Sequence, residues 1–116
     1  TGLTESQARA AGYDIEIANI VMPPERISAL KNENIHIKAI ADRDTEKLLG
    51  VQIIGKSGVS KRMDVLVTAM TLGAKVSDLF HLDLAYSPLH SLVRDPVMYV
   101  GMVLSGANSK SKAKTK

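Results

Sequence analysis

Apolar and polar residues alternate in three short segments of the chain, a pattern typical of half-buried β-strands. The segments are residues 13–21, 34–42 and 48–55. Their apolar sides are formed by Ile15 and Ile17, by Ile35, Ile37, Ala39 and Ala41, and by Leu49, Val51 and Ile53. Because only the short polar link DRDTEK separates the second segment from the third, these two strands are predicted to form an antiparallel hairpin.

Beyond residue 58 the apolar positions recur at helical spacing instead. Val59, Met63, Leu66, Val67 and Met70 follow the i, i+3, i+4 rule, and polar residues occupy the opposite side. This stretch predicts an amphipathic helix that ends at a glycine, residue 73.

Helix-capping residues predict three further helices. Their N-terminal signals are Thr4 with Gln7, Ser77 with Asp78, and Pro96. Gly12 is expected to end the first of these helices, and the last is apolar on nearly all sides. Residues 25–34 fit either a short helix or an irregular connection. Strands and helices together predict an α+β fold, in which helices pack on an antiparallel sheet of three or more strands.

Composition narrows the class of protein. A chain of 116 residues with 45% apolar residues is large enough for one domain with a real core. The absence of cysteine excludes disulfides and thiolate zinc sites within the chain and fits a cytoplasmic protein. No apolar run approaches the roughly 18–20 residues of a membrane span, so no membrane partner is expected.

The basic charge is concentrated in the last seven residues, KSKAKTK. Without those four lysines, 11 of the 15 basic residues remain against 12 acidic ones. Residues 107–116 are therefore predicted to be a Lys-rich flexible tail after a domain at 1–106. A nucleic-acid-binding role for the tail is the alternative, but the chain has few aromatic residues on which bases could stack, and no nucleic-acid partner is expected.

The stretch GVQIIGKSG fits the spacing of a nucleotide-binding phosphate loop, G-x-x-x-x-G-K-[ST]. Such a loop needs a flexible backbone between its first two glycines. Here Val51, Ile53 and Ile54 occupy that interval, and β-branched residues resist the tight turns of a phosphate-binding nest. We therefore interpret the stretch as a strand whose glycines Gly55 and Gly58 allow a sharp turn into the next helix.

No other catalytic pattern is visible in the residues themselves. His36, His81 and His90 are scattered without metal-ligand spacing, so no metal site is expected. Asp42 and Asp44 lie in a predicted turn, where solvation is the simpler explanation.

Three segments, taken together, resemble the C-terminal dimerisation domain of FAD-dependent pyridine nucleotide-disulfide oxidoreductases. They are GLTESQARAAGYDI, TEKLLGVQIIGKSGVSKRMDVLVTAM and DLFHLDLAYSPLHSLVRDP. The third resembles the closing motif D-L-A-Y-A-P-P-[FY]-S-x-x-x-D of coenzyme A-disulfide reductases, NADH oxidases and NADH peroxidases. The resemblance extends over about residues 2–104.

The resemblance implies a domain that pairs two subunits into a homodimer. FAD and NAD(P)H are implied for a parent enzyme and would be bound by domains missing here, so no cofactor is expected in this chain and no activity from it alone. The substrate of the parent stays open between oxygen, peroxide, coenzyme A disulfide and another disulfide. A free-standing ligand-binding or regulatory module is the alternative function.

Four residues take roles from the resemblance. Tyr86 matches the tyrosine that reaches across the dimer to the partner's flavin and cysteine, where a phenol can donate a proton. Arg94 stands where some members place a lysine near the phosphates of coenzyme A. Lys61 and Arg62 match a recurrent Lys-Arg pair, with either coenzyme A or ion pairs across the interface as expected contacts.

The chain also departs from the pattern of its relatives. Ser87 and Pro88 replace the His-Pro pair of glutathione-type reductases, and Leu89 and His90 replace the usual Pro and Phe or Tyr. An earlier Tyr-Tyr-Pro-Gly segment, which helps to hold coenzyme A in some members, is Val-Met-Pro-Pro at 21–24.

Overall fold

Helices alternate irregularly with strands along the chain. The computed structural model describes residues 1–85, 91–92 and 94–114, with residues 107–114 described by their backbone alone. The elements are α1 (Glu5–Ala10), β1 (Ile15–Met22), α2 (Arg26–Leu30), β2 (Ile35–Asp42), β3 (Leu48–Ile54), α3 (Val59–Thr71), α4 (Val76–Phe80) and α5 (Pro96–Lys114). The α+β class predicted from the sequence is confirmed, and the ambiguous segment 25–34 contains the short helix α2.

The three strands form one antiparallel sheet in the order β1-β2-β3. The predicted hairpin between β2 and β3 is confirmed. Its turn is organised by Asp42, whose carboxylate accepts hydrogen bonds from the backbone of Asp44 at 3.0 Å and from the hydroxyl of Thr45 at 3.0 Å. Asp42 therefore shapes the turn and is buried there, in contrast to the solvated acid expected from the sequence.

A β-bulge changes which residues of β3 share a face. Ala41 pairs with Leu48 and Ile40 with Gly50, so that Leu49 is an extra residue on β3. Strict alternation places Leu49 beside Val51, and this prediction is wrong. Because of the bulge, Leu49 packs with the smaller core cluster while Leu48 and Val51 join the larger one.

The main core lies between one face of the sheet and the helices α3, α4 and α5. The first strand contributes Ala18 and Ile20 to this core, and α5 contributes Val97, Val100 and Leu104. The Ile15 and Ile17 side of β1, the more apolar one in the sequence, points to the opposite face of the sheet. Both faces of β1 are thus partly buried, since helices lie on both sides of it.

The opposite face of the sheet is only half covered. Next to α1, Ala8 packs with Ile15 and Ile40 in a small second cluster, and Glu5 binds Lys38 of β2 at 2.8 Å. Hydrogen bonds from Lys38 and then Arg9 hold the pKa of the Glu5 carboxyl below its usual value. Beyond α1, the cross-strand row Val21–His36–Ile54 lies open on the sheet, and its two outer residues are exposed.

The capping box predicted at Thr4 and Gln7 is confirmed in full, since each side chain accepts a hydrogen bond from the other residue's backbone. Replacing a capping hydroxyl costs about 1 kcal/mol of stability. We therefore expect Thr4→Ala to lower the free energy of unfolding by about 1 kcal/mol, measured by urea denaturation. Thr4→Ser, which keeps the hydroxyl, is the control; an equal loss in both variants would contradict the capping role.

Two helix boundaries differ from prediction. The short helix α4 begins at Val76, and Asp78 stands inside its first turn, where its carboxylate accepts a hydrogen bond from the backbone of Lys75 at 2.8 Å. The last helix has Pro96 at its first position, as predicted, and continues to Lys114. It therefore enters the segment 107–116, for which the division between domain and tail stays a prediction. In the described residues, no helix has the length and apolar character needed to cross a membrane.

Candidate functional site

The structure describes three of the four residues singled out from the sequence, at the start of α3 and shortly before α5. Tyr86 falls outside the described residues. Arg94 is exposed at a bend two residues before Pro96, the first residue of α5, and Lys61 is half-buried in the first turn of α3. Arg62, the next residue, is only 1% exposed and is one of the largest fully buried side chains of the described chain.

The Arg62 guanidinium joins three separate segments of the chain. Its Nη2 donates to Oδ1 of Asp95 at 2.7 Å and to the carbonyl oxygen of Pro24 at 2.8 Å, while Nη1 donates to the carbonyl oxygen of Gly58 at 3.3 Å. The Arg62 side chain is buried among groups of its own chain, and its contact with coenzyme A or with a partner subunit stays a prediction. For Lys61 the same prediction stays a prediction.

Asp95 connects this ion pair to the last helix. Its second carboxylate oxygen, Oδ2, accepts a hydrogen bond from the backbone of Val97 at 3.1 Å, which satisfies a free N–H group in the first turn of α5. The carbonyl of Asp95 also accepts from Met98 at 2.9 Å. Asp95 therefore fixes the start of α5 and the side chain of Arg62 with one carboxylate, and it is 3% exposed.

Ser91 forms a second anchor a few residues earlier. Its hydroxyl donates to the carbonyl oxygen of Ala85 at 3.2 Å, and the residue is 1% exposed. Leu82 and Leu84, just before Ala85, pack against the main core. The described chain is therefore held to the domain at Leu84, by packing on the core, and at Asp95, by its ion pair with Arg62.

The glycine-rich stretch before α3 is a structural corner. Gly50 lies inside β3, paired with Ile40, and the stretch up to Ile54 is a strand as predicted. Gly58 precedes α3 with a φ of 75°, a left-handed conformation that favours glycine, which confirms its predicted turning role. Lys56 is exposed and lies 3.6 Å from the carboxylate of Glu33.

An apolar groove runs along the outer side of α3 and α4. It has a volume of about 440 Å³ and is lined mainly by aliphatic side chains. They include Val65, Ala69, Leu72, Leu79, Leu82 and Leu84. Leu72 is 79% exposed. Leu84 lines the groove two residues before Tyr86 in the sequence, and the groove presents an aliphatic surface of the kind that partner molecules cover.

Titratable groups within the described ranges do not form a metal centre, as no three His, Asp or Glu side chains cluster there. Sequence reasoning matched Asp95 and Ser91 to a motif but assigned them no role. The pair Asp95-Pro96 carries a signal that could have been used, because Asp is a preferred N-cap residue and Pro a preferred first residue of a helix. No sequence signal of comparable strength joins Asp95 to Arg62, 33 residues away.

Residues 1–96 match the family model described as pyridine nucleotide-disulphide oxidoreductase, dimerisation domain. The chain is 36% identical over 104 residues to the NAD(P)H coenzyme A polysulfide/persulfide reductase of Pyrococcus horikoshii. This alignment covers 90% of the chain and 23% of that protein. The chain thus spans about a quarter of the length of this relative.

Solved structures show the same arrangement of elements. The structure of reduced CoADR-RHD from Bacillus anthracis superposes with a TM-score of 0.85 and 32% identity, covering 94% of this chain and 20% of that one. The water-forming NADH oxidase of Lactobacillus brevis superposes with a TM-score of 0.84 over 95% of this chain and 24% of its own, but with 20% identity. This second likeness concerns the fold alone.

Proposed function

Since this chain belongs to the family of pyridine nucleotide-disulphide oxidoreductase dimerisation domains, we propose that it is the C-terminal domain of an FAD-dependent NAD(P)H oxidoreductase. We place the parent enzyme among the reductases that cleave a sulfur–sulfur bond in which one sulfur belongs to coenzyme A. The observation that carries this choice is the 36% identity to an NAD(P)H coenzyme A polysulfide/persulfide reductase, which extends over 90% of the chain. The likeness to NADH oxidases lies at 20% identity and supports the fold only.

Members of this family use FAD and NAD(P)H, and both cofactors would be bound by the parts of the parent outside this chain. The usual dinucleotide site needs a glycine-rich turn between a parallel strand and a helix. In the described residues all three strands are antiparallel, and the glycine corner at 55–58 leads into a helix whose first turn packs inward through Arg62. When bound in the parent, the cofactors would supply the electrons. This domain is proposed to supply the contacts between subunits and the side chain of Tyr86.

The role proposed for the domain is to hold two subunits together. Several large apolar side chains are exposed, among them Leu30, Ile54 and Leu72. Together with the groove along α3 and α4, they offer aliphatic surface of the kind that marks protein–protein contacts. A second copy of the chain and the preceding domains of the parent are the partners proposed to cover these surfaces.

Within the dimer, Tyr86 is proposed to act in the partner's site. A phenol there would donate a hydrogen bond or a proton to the sulfur that leaves as a thiolate when the disulfide is cleaved. Arg94 is proposed to contact the phosphates of coenzyme A, because it is exposed and a guanidinium binds phosphate through two parallel hydrogen bonds. Both assignments rest on the matched closing motif, in which Ser91 and Asp95 provide the buried anchors.

We expect Tyr86→Phe in the full-length protein to lower kcat for coenzyme A disulfide by about 100-fold, because general acids contribute 10²–10⁴-fold to rates. Reduction of the flavin by NAD(P)H is expected to be unchanged, since that step needs no proton from Tyr86. Stopped-flow absorbance measures the two steps separately. Tyr13→Phe, which removes an exposed phenol at the far end of α1, is the control. Equal kcat in the two variants would contradict the role of Tyr86.

Two other functions predict different results in the same assays. An NADH oxidase would consume oxygen when NADH is supplied, and coenzyme A disulfide would not lower the rate of oxygen consumption. A free-standing ligand-binding or regulatory module would be a monomer by light scattering and would gain thermal stability from a small ligand without any upstream domain. A dimer that oxidises NAD(P)H only when coenzyme A disulfide is present supports the proposed function.

A further inference from the structure

We infer that Arg62 and Asp95 are a positioning pair, whose task is to fix the chain next to Arg94 at the mouth of the proposed coenzyme A site. The inference rests on the proposed function for the ligand involved. Its physical basis is independent of that function: a buried ion pair holds the backbone directly beside an exposed cation.

The pair restrains residue 95 in more than one direction. Arg62 is itself fixed by α3 and by carbonyl groups at Pro24 and Gly58, which belong to two other segments. Asp95 is fixed by Arg62 on one oxygen and by the first turn of α5 on the other. The backbone next to Arg94 is therefore held in a defined place, although the side chain of Arg94 is exposed.

Stability alone does not account for such a pair. Removing two charges from water costs much of what their attraction returns, so that a buried ion pair adds little beyond what apolar side chains of the same volume add. Unlike an apolar contact, the pair fixes the relative orientation of the segments that it joins. A guanidinium binds a carboxylate and two carbonyls only in a narrow range of geometries. A displacement of about 1 Å in a binding group can lower the reaction rate by a large factor. The position of the backbone at residue 95 therefore bears on function.

Ser91 supports the same interpretation from the other end of this segment. Its buried hydroxyl donates to the carbonyl of Ala85, and Asp95 binds Arg62, while Arg94 is exposed. Arg94 is thus an exposed cation that lies between two residues with buried polar contacts, Ser91 and Asp95.

The test uses the full-length protein with the double variant Arg62→Met/Asp95→Asn. This variant removes both buried charges at once, and asparagine can still cap α5. Hydrogen–deuterium exchange is expected to become at least 10-fold faster in peptides that report on Ser91 and Asp95 and to stay unchanged in β2. Lys56→Met, which removes an exposed ion pair nearby, is the control and is expected to change neither.

The kinetic part of the test separates positioning from general stability. With coenzyme A disulfide as substrate, the double variant is expected to raise KM about 10-fold while the rate of flavin reduction by NAD(P)H stays the same. Arg62→Lys keeps the charge but loses the forked geometry of the guanidinium. Its protection against exchange is expected to lie between that of the double variant and that of the wild type.

Exchange at Ser91 and Asp95 that equals the wild type overturns the inference, and so does an equal rise in β2, since the pair would then act on the whole fold. A local rise in exchange with no change in KM for coenzyme A disulfide supports the positioning of the chain and contradicts the proposed ligand. The failure of the inference and the failure of the proposed function therefore give different results.

Discussion

Gly101→Val is expected to destabilise the domain by about 3 kcal/mol, because overpacking against immobile atoms costs 1–3 kcal/mol or more. Helices α4 and α5 cross at this glycine. A Cβ atom added there would lie 2.7 Å from the backbone nitrogen of Phe80 and 2.8 Å from the carbonyl oxygen of Val76. These are backbone atoms of α4, so no side chain can rotate to make room. The two helices would have to separate, and the main core would lose contacts at Val100 and Leu79.

Gly106→Ala in the same helix provides the matched control. A Cβ at Gly106 meets no atom within 4 Å, so this exchange changes only helix propensity. We expect Gly106→Ala to raise the free energy of unfolding by about 0.5–1 kcal/mol. Urea denaturation followed by far-ultraviolet circular dichroism measures both variants. If Gly101→Val were as stable as the wild type, α4 and α5 would not cross as closely as described.

The second large effect is expected from Arg62→Met alone. Methionine fills a similar volume but leaves the Asp95 carboxylate buried without the 2.7 Å contact to Arg62. Breaking one side of a buried ion pair costs about 3–5 kcal/mol, since an uncompensated charge stays in a poorly solvated place. We therefore expect a loss of this size in the free energy of unfolding, again by urea denaturation.

Two comparisons show whether charge is the cause. Arg62→Met/Asp95→Asn is expected to recover much of the lost stability, because no unpaired carboxylate is left buried. Arg43→Met, which breaks the more exposed ion pair with Glu16, is expected to cost about 1 kcal/mol or less. A double variant that is less stable than Arg62→Met would show that the loss comes from packing and from the carbonyl contacts of Arg62 rather than from the charge of Asp95.

Local signals in the sequence predicted most of the secondary structure. The capping box at Thr4, the hairpin of β2 and β3, and Pro96 at the start of α5 depend on residues close together in the chain. The errors arose where residues distant in the sequence determine which face of a strand is buried. A bulge moved Leu49 to the other face of the sheet, and helices on both sides of β1 buried its two faces in different clusters. Alternation within one strand carries no information on either effect.

The candidate site was predictable in a different way. The closing motif drew attention to residues 83–95 by resemblance, and the match to the dimerisation-domain family confirms the resemblance. The motif did not reveal that Asp95 binds Arg62, because the two residues are 33 positions apart and only the packing of α3 beside α5 brings them together. An arginine at the start of a helix also looks like a surface residue in the sequence, since charged side chains are rarely buried.

The packing of α5 against β1 has a consequence for how the protein is made in the cell. The first strand of the sheet is not covered on its main-core face until Val97, Val100 and Leu104 of the last helix are in place. During synthesis at about 5–20 residues per second, the strands leave the ribosome several seconds before α5 does. The main-core face of β1 therefore stays exposed until α5 emerges, and a chaperone that binds aliphatic faces would recognise this domain at that stage of translation.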